Sequence, residues 1–252
     1  MSITGHALFT SRVILVTGAG GAIGSAVAKA LAAQGASVVL MGRSLGPLEK
    51  VYDTIVAAGH AQPAICPLDF AATTFEDFQQ AISMIQQELG RLDGLLHAAA
   101  TLGSLTPVEH FDADLWSRVL QVNLTAPMLL TRACLPLLKA APDAAILFST
   151  SAVGQQGRAY WGAYGVAQAG IENLTQTLAD ELEANTTLRV NSIDSGPVRS
   201  RLRALAYPGE DPNTLPDAET VIPAYLHLMG PAGGISGQRI CATDYLNNTP
   251  GQ

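Results

Sequence analysis

Short apolar runs alternate along the chain with longer stretches in which apolar residues recur every three or four positions. The runs are "RVILVTG" (12–18), "SVVLMG" (37–42), "AICPLD" (64–69), "LDGLLHAAA" (92–100), "AAILFST" (144–150), "LRVNSID" (188–194) and "GQRICA" (237–242). Most are nearly continuous in Val, Ile, Leu and Ala, as strands buried on both faces require. The third is the weakest, because it contains Pro67. Helical periodicity predicts helices over 22–35, 47–58, 73–89, 112–139 and 160–184, with an amphipathic piece at 217–229. This βαβ rhythm predicts an α/β fold, a parallel sheet covered on both faces. With 252 residues and no repeat or linker, one domain over 1–252 is expected.

Open sheets of this kind bind ligands at the carboxyl ends of their strands. The turn "VTGAGGAIG" (16–24) joins the first strand to the first helix there. Gly18, Gly20, Gly21 and Gly24 permit a tight turn and close backbone approach, and the helix N-terminus offers unpaired N–H groups to a pyrophosphate. The spacing, Thr17-Gly18-x-x-x-Ala22-Ile23-Gly24, is one residue longer than GxGxxG. Packing alone also produces such turns, but this one sits at the first crossover, which points to a dinucleotide. The second strand then ends "LMGRS", with Arg43 where an acidic residue would bind the ribose hydroxyls. A guanidinium suits a phosphate in charge and fork geometry. NADP(H) is therefore expected in preference to NAD(H), which remains possible; a merely solvated Arg43 is the alternative. Asp69, ending the third strand, is placed to meet the adenine edge or to cap its own loop.

"YWGAYGVAQAG" (160–170) places Tyr164 and Gln168 on one helix face. A phenol there is a candidate proton donor, yet only ~0.1% of an ordinary tyrosine, pKa ~10, is ionised at neutral pH. Gln168 offers hydrogen bonds but no charge with which to stabilise tyrosinate. Residues 199–220 are the richest in Pro, charge and turn formers, an exposed loop read as a mobile flap over the strand ends.

Charged residues make up 14% of the chain against a typical ~25%. Either some surface is covered by self-association or the chain is simply rich in Ala and Gly. A net charge of −7 without a basic cluster argues against nucleic acid. Cys66, Cys134 and Cys241 read as reduced core residues, and the histidines at 6, 60, 97, 110 and 227 show no ligand spacing, so no metal is expected. "MSITGHALFTSR" resembles no leader and no run has transmembrane length, so a cytoplasmic protein without membrane contact is expected.

Taken together, "TGAGGAIG", "GRS", "LDGLLHAAA", "QVNLTAP", "STSAVG", the Tyr164 segment and "RVNSIDSGPVRS" resemble the short-chain dehydrogenase/reductase family across about residues 10–242, closest to a bacterial branch of unassigned substrate. The resemblance implies a Rossmann-type doubly wound sheet of about seven mostly parallel strands. It implies a small-molecule carbonyl or alcohol as substrate. It also implies a homodimer or homotetramer formed through helices 112–139 and 160–184. By the resemblance, Ser151 polarises the carbonyl, Tyr164 moves the hydroxyl proton and Asn123 anchors a relay water through its backbone. In a helix interior Asn is mildly unfavourable, so a bend or a water site is expected at Asn123, with mere tolerance as the alternative.

The sequence departs from the family at several of these positions. The lysine four residues after the tyrosine is Gln168. The Asn-Ala-Gly after the fourth strand is Ala98-Ala99-Ala100. Ala22 stands for the middle glycine of the nucleotide turn and Ser195-Gly196 for the usual Pro-Gly, while Ser200 keeps a hydroxyl where a threonine meets the carboxamide. Alcohol oxidation, which needs tyrosinate, is expected to suffer most; Arg158 and Arg199 are the candidate cationic substitutes. The expectation is an NADP(H)-dependent oxidoreductase of reduced turnover, or else a catalytically impaired nucleotide-binding or assembly protein.

Overall fold

The structure, a computed structural model, describes residues 7–248. His6 and the start of the N-terminal stretch read above lie outside them. Seven strands form one sheet: β1 (Val13–Thr17), β2 (Ser37–Gly42), β3 (Ala64–Pro67), β4 (Gly94–His97), β5 (Ala145–Thr150), β6 (Arg189–Asp194) and β7 (Arg239–Cys241). Their order is β3-β2-β1-β4-β5-β6-β7 and every pairing is parallel. The order reverses between β1 and β4, the switch point of a doubly wound sheet, and all carboxyl ends emerge on one edge.

Successive strand residues face opposite sides. Ile14 and Val16 pack with helices α1 (Ala22–Ala33), α2 (Leu45–Ala57) and α8 (Ile222–Met229). Val13 and Leu15 pack with α3 (Phe75–Leu89), α5 (Ala126–Ala140) and α6 (Gly162–Glu183). The remaining helices are α4 (Ala113–Leu120), α7 (Arg201–Ala206) and α9 (Ala242–Asn248). Helix α3 begins on a reciprocal cap, Thr74 with Asp77, and stops at Gly90, whose φ of 73° ends it in left-handed geometry.

The single helix predicted over 112–139 is divided: a π-turn, Gln121–Thr125, separates α4 from α5. Pro127 supplies the cause. It has no N–H to give the carbonyl four residues back, and that carbonyl belongs to Asn123. Asn123 lies inside this π-turn. The amphipathic piece at 217–229 likewise splits, into a 3-10 turn (Ala218–Val221) and α8.

At the end of β4, His97 is buried, stacked on Phe148 at 4.6 Å between ring centroids, with Nε2 bonded to the Thr131 hydroxyl at 2.9 Å. Burial pushes its pKa down to about 3. An unfolded histidine takes up a proton near pH 6.5, whereas the folded one resists until about 3, so stability is present above 6.5 and lost as pH falls through that window. The loss should be of the order of a few kcal/mol. Thermal unfolding measured from pH 7 to 4 should show it, and a His97→Gln variant should flatten the slope.

Candidate active site

At the switch point, Gly21 N bonds Gly18 O at 2.8 Å to close the glycine turn, and α1 starts at Ala22 with no side chain capping its N-terminus. The first N–H groups of α1 therefore lack a side-chain acceptor. Gly18 has φ +62°, and a Cβ there would stand 2.6 Å from Ala99 N. A Cβ on Gly24 would stand 2.3 Å from Gly18 O. These two glycines let the first helix, the turn and the β4 loop meet backbone to backbone. Ala22 and Ile23 are half-buried against the α1 side of the core, so the Ala22 methyl is absorbed by packing.

Thr17 is fully buried, and its hydroxyl accepts the Ala98 and Ala99 N–H groups at 3.1 and 3.2 Å. The loop after β4 thus receives from β1 an anchor that the three alanines cannot give themselves. Just beyond it, Asn123 makes two bonds to Thr101: Oδ1 accepts its N–H at 2.8 Å and Nδ2 donates to its carbonyl at 2.7 Å. Both ends of the Asn123 side chain are engaged in this way.

Arg43 is exposed directly after β2 and has no ion pair among the described residues. Asp69 is used by its own loop: Oδ1 accepts Ala71 N–H at 3.1 Å, and its carbonyl accepts from Ala72, Thr73 and the Thr73 hydroxyl. Capping is the role observed, with Oδ2 left over.

Ser151 follows β5 and opens a 3-10 turn, Ala152–Gly154. A Cβ on Gly154 would lie 2.8 Å from the Gln168 carbonyl carbon, so this turn is seated on α6. Tyr164 lies on the same stretch of α6 and is 6% exposed. Val153 from the turn and Ala206 from α7 share its apolar cluster, with Trp161 at 5.8 Å between ring centroids. Burial raises the Tyr164 pKa, and the charge of Asp194 raises it further; no cation among the described residues lowers it. One turn on, Gln168 is 3% exposed and its Oε1 has no partner among the described residues. A buried acceptor with nothing to accept from fits a site that a hydroxyl-bearing ligand completes. The uncapped helix, the turn and this orphaned oxygen together suit a dinucleotide.

The two cationic substitutes do not fill the vacancy. Arg158 is exposed and bonds the Tyr207 hydroxyl at 3.3 Å. Arg199 bonds the carbonyls of Pro212 and Leu215 and pairs with Asp217 at 3.2 Å.

The short chain dehydrogenase family model matches residues 12–211. The chain belongs to the short-chain dehydrogenase family. The uncharacterized oxidoreductase YciK of Escherichia coli K12 is 41% identical to it over 88% of each chain. A cyclohexanol dehydrogenase of Acinetobacter is 33% identical over 78% of this chain and 76% of its own. A Shigella flexneri short-chain dehydrogenase structure, complexed with NADP, superposes with a TM-score of 0.92 at 39% identity, covering 95% of this chain and all of that one. As a short-chain dehydrogenase the protein is an oxidoreductase acting on CH–OH or C=O groups.

In this short-chain dehydrogenase the loop 199–220 lies against the Tyr164 cluster through Leu202, Ala206 and Tyr207. Ser200 is used as the cap of α7, accepting Arg203 N–H at 3.1 Å, and Arg203 is tied to Glu210 by two bonds of 2.6 and 2.7 Å. Gly196, at φ +68°, turns the chain after β6, and its N–H is held by Asp194 Oδ1 at 2.9 Å. Asp194, with its partners Arg239 and Glu172, is the part of the site that sequence reasoning missed. Among the described residues no cluster of His, Cys, Asp or Glu is placed to hold a metal, and no helix is long and apolar enough to cross a membrane.

Proposed function

We propose that this short-chain dehydrogenase is an NADP(H)-dependent carbonyl reductase of low turnover, with Tyr164 as its proton donor. The observation that carries the reading is the buried phenol of Tyr164 beside Gln168, on which no cation among the described residues acts. Such a phenol stays protonated at neutral pH, which suits an acid and handicaps a base. When bound, the nicotinamide cofactor supplies the hydride. Ser151 donates a hydrogen bond to the substrate carbonyl oxygen, and Tyr164 delivers the proton to that oxygen. The Asn123 carbonyl, which can receive no N–H from Pro127 four residues on, anchors the water that returns the proton. Gln168 Oε1 accepts from a cofactor hydroxyl. The turn from Thr17 to Gly24 takes the pyrophosphate, with Ala98, Ala99, Ala100, Gly196 and Ser200 along the rest of the cofactor and Asp69 Oδ2 toward the adenine.

For the cofactor, Arg43 stands free where a 2′-phosphate would sit, and the Shigella relative holds NADP. NAD(H) is the weaker fit, because no carboxylate ends β2. Arg43→Ala should weaken NADPH binding roughly 10- to 100-fold, the worth of a charge-assisted bond or two, and NADH binding little. Fluorescence titration of both nucleotides reads this; equal losses would remove the 2′-phosphate role. The apolar cluster around Tyr164, with Leu102, Val153, Trp161 and Tyr207, favours a carbonyl compound with an apolar body. Low charge and the exposed Met128 of α5 and Val166 of α6 support a dimer or tetramer through these helices.

Nicotinamide absorbance across a panel of ketones and quinones tests the reading. Substrate-dependent NADPH oxidation is expected. Tight NADPH binding with none would select the second reading, a nucleotide-binding protein that lost turnover, which Gln168 and the three alanines after β4 favour.

A further inference from the structure

Three segments close around Tyr164: the stretch from Leu102 to Trp116, the turn that leads into α6, and the loop from Leu202 to Tyr207. Two hydrogen bonds join them at the outer rim. The Tyr160 carbonyl accepts the Thr106 N–H at 3.2 Å, and Arg158 Nη1 donates to the Tyr207 hydroxyl at 3.3 Å. From that rim aromatic rings run inward. The centroids of Tyr207 and Trp161 are 5.9 Å apart, and those of Trp161 and Tyr164 are 5.8 Å apart. Exposed Arg158 therefore stands at the open end of an aromatic path whose other end is the buried phenol.

The charge of Arg158 is unengaged. It has no acidic partner among the described residues, and its bond to Tyr207 uses one of five N–H groups. The acids of the neighbouring loop are already taken. Glu210 accepts two bonds from Arg203 at 2.6 and 2.7 Å, Asp217 pairs with Arg199 at 3.2 Å, and Asp211 accepts the Asn213 N–H at 2.9 Å. With Nη1 on Tyr207, the Nε–Nη2 edge of Arg158 remains. Its two parallel N–H groups match the two oxygens of a carboxylate. Arg201 on α7 is exposed and also lacks an acidic partner among the described residues, but it makes no bond to the aromatic path.

The turn that presents Arg158 is held in an unfavourable shape. The Trp161 N–H closes it on the Arg158 carbonyl at 3.2 Å, and Tyr160 within it has φ +75°. A glycine takes that conformation freely, whereas a tyrosine takes it under strain. The Tyr160 side chain is 56% exposed, so burial does not offset the strain. Such strain persists at ligand clamps, where the shape is part of the function.

We propose that Arg158 selects the substrate, a ketone with an apolar body and a carboxylate. The carboxylate lies on the Nε–Nη2 edge of Arg158, and the body runs along Tyr207 and Trp161 toward Tyr164. The inference deepens the reductase reading and rests on it for the ketone; the carboxylate rests on Arg158 itself. An acid approaching a chain of net charge −7 is disfavoured at long range, so a local cation is needed to hold it. A neutral ketone of the same length gains nothing from that cation.

NADPH oxidation with straight-chain oxo acids of increasing length, each against its methyl ester, reads the selection. At the length that spans Arg158 and Tyr164, kcat/KM for the acid should exceed that for the ester roughly tenfold, the size expected of a charge-assisted contact at an exposed site. Arg158→Gln should erase the preference, chiefly by raising KM for the acid. Arg201→Gln should keep it, which separates a contact from a general effect of charge. Tyr207→Phe, which removes the bond to Arg158 but keeps the ring, should keep it too. If Arg158 merely held Tyr207 in place, those two variants would lose the preference together. Esters reduced as well as every acid, equal losses for acid and ester in Arg158→Gln, or loss of the preference in Arg201→Gln or Tyr207→Phe would overturn the proposal.

A second measurement does not depend on turnover. The two tryptophans of the chain, Trp116 and Trp161, both belong to this cluster, so their fluorescence reports its occupancy. In the presence of NADP⁺, octanoate should change that fluorescence at roughly tenfold lower concentration than octanamide, and Arg158→Gln should remove the difference. No turnover of any ketone, with that octanoate preference intact, would sink the reductase reading and leave Arg158 standing. Turnover of acids and esters alike, with no octanoate preference, would do the reverse.

Discussion

Gln168→Lys is expected to raise the turnover of alcohol oxidation at pH 8 by roughly a hundredfold and to lower its pH optimum by about two units. An ammonium one helical turn from Tyr164 would stabilise tyrosinate, which nothing in the present site does. Full conversion of a phenol from pKa ~10 to near 7 takes roughly 4 kcal/mol, at about 1.4 per unit. The lysine would fall short of that because position 168 is 3% exposed, so the ammonium gives up hydration there. Asp194, already pressing against ionisation, sets a further limit. Steady-state nicotinamide absorbance between pH 6 and 10 measures both effects. A profile that does not move would mean that Tyr164 is not the acid/base.

Tyr164→Phe is expected to cut kcat/KM for reduction by roughly 10²- to 10⁴-fold, the usual contribution of a positioned proton donor. Stability should hardly change, for a stated reason. No hydrogen bond to the Tyr164 hydroxyl is found among the described residues, so its removal strands no partner in the interior. The ring remains to pack against Trp161 and Val153. Parallel measurement of kcat/KM, nucleotide affinity and thermal unfolding checks this. A variant keeping more than about a tenth of the activity would remove Tyr164 from the chemistry.

The sheet could be read from sequence because each strand is a short apolar run beside a helix with its own period. β1, expected over 12–18, forms over Val13–Thr17, and α3, expected over 73–89, forms over Phe75–Leu89 between its cap and Gly90. Across 112–139 the apolar period persists and predicts a single helix. The signal that breaks it was present in "NLTAP", where Pro127 falls four residues after Asn123. Short helices with little period, such as α7 and α9, left no trace in the pattern.

The site divided along the same line. Tyr164, Gln168 and the nucleotide turn are local motifs and were found as such. The loop at 199–220 could be seen as irregular, but that it rests on Trp161 and Tyr164 depends on tertiary packing. The Asp194 network spans separations of 20, 45 and 67 residues, with no spacing rule to announce it. Asp69 looked equally suited to adenine or to its own loop, and its bonds to Ala71, Ala72 and Thr73 show the latter in place.

Thr17 ends β1 as a single oxygen on which two strands' worth of architecture converges. Valine has the same outline and would fill the same space, yet it would leave two half-buried amide protons without their acceptor. The constraint at this position is one of valence, not volume. A protein can mend a badly filled space by repacking, but it has no way to repack a missing lone pair.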